Sequence, residues 1–69
     1  MPTVKVIEII GTSSNSWEDA ANNAIVEAAE TVKGITGLEV MAQTAKVEGN
    51  SIAEFRTTVK IAFLVKDNR

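Results

Sequence analysis

Cysteine and histidine are both absent from this chain, and the two absences remove most of the chemistry available to small domains. Without cysteine there is no disulfide staple and no thiolate metal site. Without histidine the commonest transition-metal ligand and the commonest general base are gone. Tyrosine is missing too, so a nucleophile–base pair would have to come from Ser, Thr, Lys and carboxylates. No spacing here brings those together, so no catalytic residue is assigned and an enzyme is not expected. Three aromatics, Trp17, Phe55 and Phe63, are too few for a base-stacking platform. Seven basic residues stand singly against nine acidic ones, giving a net charge of −2. Phosphate backbones are bound by clustered Lys and Arg, so nucleic acid is not an expected partner. No apolar run approaches the roughly 18 residues that cross a bilayer. The N-terminal Met-Pro-Thr-Val-Lys has no signal-peptide profile, and a cytoplasmic protein without a membrane partner is expected.

What is present is apolar and short. The 69 residues make one domain, 1–69, of which 45% are hydrophobic. A domain of this size buries only about 60% of its unfolded surface and is marginal without a staple. With disulfides and thiolate metal sites excluded, self-association is the staple that remains.

The order of elements reads β-α-β-β. Residues 4–10 are β-branched and only loosely alternating, which predicts a strand covered on both faces. Gly11-Thr12-Ser13-Ser14-Asn15 should break it as a turn. Ser16-Trp17-Glu18-Asp19 then forms a variant capping box: the Ser16 hydroxyl accepts from the Asp19 amide, and the carboxylate reaches back. From there Trp17, Ala20, Ala21, Ala24, Ile25, Ala28, Ala29 and Val32 recur at helical spacing, an unbroken stripe. Five of these eight are alanine, so the helix should approach its partner surface closely. Gly34 stands where a left-handed C-cap belongs, after Lys33 at the negative end of the dipole.

Residues 38–47 read as the second strand and Glu48-Gly49-Asn50-Ser51 as a hairpin turn. In the third strand Ala53, Phe55, Thr57, Val59, Ile61, Phe63 and Val65 share one face. Glu54, Arg56, Thr58 and Lys60 share the other until Ala62 and Leu64 replace them. The polar tail 66–69 should fray. The fold class is therefore α+β, a three-stranded antiparallel sheet wrapped around one long helix. The mixed outer face of that sheet should meet another subunit or a ligand.

These residues resemble the dodecin family along essentially the whole chain. The likeness lies in Val6 to Ser13 (Val-Ile-Glu-Ile-Ile-Gly-Thr-Ser), in Ser16-Trp17-Glu18-Asp19-Ala20, and in Asn23-Ala24 and Thr31-Val32. It continues in Glu39-Val40 and in the final strand from Phe55 to Phe63. The resemblance implies a hollow twelve-subunit homo-oligomer with helices outside and sheets inward. It also implies a cofactor, a flavin such as riboflavin or FMN. In flavin-binding members, paired rings stack between tryptophans that precede the Glu-Val of the second strand. A glutamine on the third strand holds the polar ring edge. This sequence departs from the pattern at both places: Gly37 stands where the indole would be and Arg56 at the glutamine position. A lost aromatic platform forfeits roughly 1–3 kcal/mol per stacked ring, by analogy with bases, so flavin affinity should be weak.

Other groupings have ordinary readings beside sharper ones. Trp17 is a core or interface anchor before it is a replacement stacking residue. Glu18, Asp19, Glu27 and Glu30 suit a solvated helix flank; held at subunit contacts they would suit a hard cation such as calcium. Gly11-Thr12-Ser13-Ser14 is a turn and cap, lacking the spacing and Lys of a phosphate loop. Glu54, Arg56, Thr58 and Lys60 with Glu39 and Gln43 should form cross-strand ion pairs, and Arg56 is the residue expected to meet an anionic ligand. Two functional readings follow: a ligand-sequestering shell with weak flavin affinity, or a structural or calcium-binding assembly.

Overall fold

A computed structural model describes residues 3–65; the tail expected to fray lies outside the described residues. The elements are β1 (Thr3–Ser13), α1 (Trp17–Ala28), β2 (Ile35–Glu48) and β3 (Ser51–Val65). The sheet is antiparallel throughout with order β1-β3-β2, so β3 is central and both other strands are edges. The β-α-β-β order and the three-stranded sheet agree with the sequence reading. The molecule is long and thin, 56 × 19 × 13 Å, because the β2–β3 hairpin extends beyond the helix.

Burial on β3 follows the alternation of its residues. Thr57, Val59, Ile61 and Phe63 are buried under the helix, each apolar side chain stabilising by about 1.5–3 kcal/mol. From the other side Ala20, Ala24 and Ala28 descend onto them, one per helical turn, and all three are buried. Ile7 and Ile9 of β1, with Ile25 and Val32, close the margins. The helix crosses close over β1 at Gly11. A Cβ on Gly11 would lie 2.0 Å from the Ala20 carbonyl oxygen and 2.9 Å from the Ala24 Cβ, so only glycine fits.

Several boundaries differ from expectation. β1 does not break at Gly11 but runs through Ser13, because Gly11, Thr12 and Ser13 continue the ladder opposite Thr57, Arg56 and Phe55. The Ser16 hydroxyl accepts from the Asp19 amide at 3.0 Å as expected. The Asp19 carboxylate does not reach back to Ser16; its Oδ2 accepts from the Ser13 hydroxyl at 2.6 Å. The helix ends at Ala28 rather than Val32. Beyond it the amides of Glu30 and Thr31 bond three residues back, and the Thr31 hydroxyl donates to the Ala28 carbonyl. These three-residue bonds finish the segment as tight turns. Gly34 therefore is not the helix cap. At φ +78° it turns the chain into β2, and its carbonyl accepts from the Leu64 amide at 3.1 Å. Gly49 has the only other positive φ among the described residues, +60°, at the first central position of the hairpin, the arrangement of a type II′ turn.

The sheet holds the helix mainly through β1 and β3, while β2, in which no residue is buried, meets it only at its margin. One further expectation, cover on both faces of β1, is not met within a single copy. β1 is covered on one face only: Val4, Val6 and Ile10 are all more than half exposed. One helix supplies one layer, and the other face of the sheet stays bare within a single copy.

Replacing Gly11 with Ala should destabilise the fold by about 3 kcal/mol, the upper end of overpacking costs, because the clash is with backbone. The same change at Gly37, where a Cβ meets nothing within 4 Å, should be near neutral. Denaturant midpoints at matched protein concentration measure both; equal midpoints would refute the close-approach account.

Candidate functional site

The face of the sheet turned away from the helix holds both positions singled out in the sequence, Gly37 and Arg56. Antiparallel register puts partners side by side, with Cβ atoms typically about 5 Å apart. Reading down β3, Leu64 stands beside Val4, and Ala62 between Val6 and Gly37. Lys60 follows between Glu8 and Glu39, then Thr58 between Ile10 and Ala42, then Arg56 between Thr12 and Thr44. The face is thus apolar at one end and polar at the other, with a carboxylate–ammonium–carboxylate row between.

Gly37 and Arg56 both lie on this face, yet one copy does not bring them together. Ala62, the partner of Gly37, and Arg56 stand six positions apart on β3, which is about 20 Å along a strand. The expected cross-strand ion pairs are replaced by pairs within strands. Arg56 Nε lies 3.4 Å from Glu54 Oε2, and Lys46 Nζ 3.4 Å from Glu48 Oε2, all of them well solvated. Such exposed pairs contribute at most about 1 kcal/mol each. Gln43 does not join Glu39: it faces the helix side opposite Thr57, because the β-bulge between Val40 and Ala42 shifts the β2 register.

Trp17 is an anchor. Its Nε1 donates to the Thr44 carbonyl at 2.8 Å, and its ring meets Phe55 edge-on at a centroid distance of 4.8 Å. The buried Thr57 hydroxyl donates to the Trp17 carbonyl at 2.8 Å, fixing the helix start to β3. On the other side the Asn23 Nδ2 donates to the Thr12 carbonyl at 3.0 Å. Thr12 and Thr44, the neighbours of Arg56, are each held from behind by a helix side chain. Neither carries a signal in the sequence; only the register places them together.

The acidic residues are not on one flank. Glu18 and Asp19, with Ser16, Asn22, Ala21, Ile25 and Leu38, border an open cleft of about 510 Å³ between helix and β2. Glu27 borders a second, of about 370 Å³, on the β1 side with Thr12 and Asn23. Among the described residues, no three acidic side chains of one copy converge on a metal position. Nor is any helix among them long and apolar enough to cross a membrane.

The β-α-β-β unit is thus a helix layer on a sheet layer, with one mixed sheet face bare. Residues 3–66 match the family model described as Dodecin. The calcium dodecin of Mycobacterium tuberculosis is 35% identical over 66 residues, which are 96% of this chain and 93% of that protein. The crystal structure of that organism's calcium-chelating antigen, calcium dodecin, described as having a novel calcium-binding site, superposes with a TM-score of 0.82 at 34% identity, over 97% of this chain and 96% of that one. The dodecin of Streptomyces coelicolor gives 0.94 at 25% identity, covering 97% and 96%. The chain belongs to the dodecin family.

Because Gly37 faces open space, Gly37→Trp should fold normally and supply the missing ring surface. Riboflavin affinity, followed by quenching of flavin fluorescence, should rise about 5- to 150-fold, the equivalent of 1–3 kcal/mol. No gain would mean that position 37 does not face a flavin slot.

Proposed function

We propose that copies of this chain close into a hollow homo-oligomer of twelve that sequesters a small ligand against its inward sheet faces, with a binding rather than a catalytic role. The observation that carries the assembly is the bare apolar surface of the single copy. Val4, Val6, Ile10 and Leu64 are all more than 40% exposed on one face of the sheet, and β2 has no buried residue. Contiguous surface of this kind marks an interface, and a 69-residue chain needs the burial it provides. Flavin binds weakly in this reading, since Gly37 offers no ring and Arg56 replaces an uncharged amide with a cation. Native mass spectrometry of the purified protein tests it: the expected mass is twelve times that of the chain, together with any retained small molecule. A compact, cooperatively melting monomer in dilute solution would overturn it.

A second reading, calcium held at contacts between subunits, is favoured by the 35% identical relative that is named for calcium. Carboxylates of Glu18, Glu27 and Glu30 would then need partners from a second copy, as oxygen ligands usually number six to eight. Millimolar calcium should raise the melting temperature of the assembly by several degrees, and chelator should reverse the rise. Insensitivity to both would remove this reading.

A further inference from the structure

We propose that Thr12, Arg56 and Thr44 form a binding site for a phosphate group, which makes the ligand of this sheet face a phosphate-bearing small molecule. The proposal rests on the ligand-binding reading above and names the class of ligand. Register sets the three side chains in one row across all three strands, with Arg56 in the middle on the central strand. Thr58, two residues along β3, lies on the same face one row away. The contact of Arg56 with Glu54 engages Nε alone at 3.4 Å, so the terminal amino groups keep their donors.

Chemistry selects among anions. A carboxylate presents two coplanar oxygens, which a guanidinium fork satisfies by itself. A phosphate has further oxygens out of that plane, and hydroxyl donors on either side of the fork are placed to meet them. The row is also held in position before any ligand arrives. The Thr44 carbonyl is tied to the Trp17 indole and the Thr12 carbonyl to the Asn23 amide, so both outer strands are fixed from the helix side. Such preorganisation lowers the ordering cost of binding. Charges nearby act in both directions. Glu54 repels an anion, while Lys46, its register partner on β2, attracts one.

Calorimetric titration of the full chain with inorganic phosphate, in phosphate-free buffer of low ionic strength, tests the site. Saturable binding at one phosphate per chain is expected, weakening as salt is added. Arg56→Gln should weaken it at least about tenfold, and the double change Thr12→Val with Thr44→Val about threefold or more. Acetate should bind at least about tenfold more weakly than phosphate. No saturable phosphate binding, an unaffected Arg56→Gln, an unaffected double variant, or equal acetate binding would each overturn the proposal. Native masses of the same samples separate it from the reading on which it rests. A twelve-copy assembly that ignores phosphate overturns the anion site alone, and a monomer that binds phosphate overturns the shell alone.

Discussion

The close approach of α1 to the sheet is the constraint on which the rest of the structure depends. Ala20, Ala24 and Ala28 bring the helix backbone down onto Val59 and Ile61, and Gly11 lets it cross β1 with the Ala20 carbonyl where a side chain would otherwise stand. Small residues on both sides make a thin, dense contact in which each methyl group counts. Because the helix sits so low, its flanking side chains reach the sheet edges. Trp17 bonds the outer carbonyl of Thr44 on β2, and Asn23 that of Thr12 on β1. Both edges are partly covered in this way, which blunts their tendency to pair with other strands.

A thin contact also limits what one copy can bury. The helix covers two strands of three, and the hairpin extends beyond it with Val47 and Ile52 exposed at its end. The opposite face keeps Val4, Val6 and Ile10 in water. The same alanines that make the helix–sheet contact precise thus leave the protomer short of apolar burial, and further copies are the available remedy in a chain without cysteine or histidine.

The bare face changes character along its length. Its polar end is ordered by the Thr12–Arg56–Thr44 row, its middle by Lys60 between Glu8 and Glu39, and its apolar end by Val6, Ala62 and Gly37. Membership of the dodecin family accounts for the scaffold. The particular residues on it include a glycine at 37, which offers no ring, and an arginine at 56, which brings a charge.

The helix, the alternation of β3 and the hairpin at Gly49 were all legible in the sequence, because each rests on local periodicity or on turn-forming residues. Gly37 and Arg56 were singled out by resemblance, but their separation of about 20 Å along one copy was not legible. Nor were the continuation of β1 through Ser13, the capture of the Asp19 carboxylate by Ser13, or the end of the helix at Ala28. Those were decided where segments distant in sequence meet: the ladder with β3 draws Gly11 to Ser13 into a strand that their turn-forming character alone would not give. Register across three strands, shifted by bulges in β2, chose which side chains stand beside Arg56 and placed Gln43 on the opposite face from Glu39. A period of two tells which residues share a face within one strand. Only pairing between strands tells which of them become neighbours.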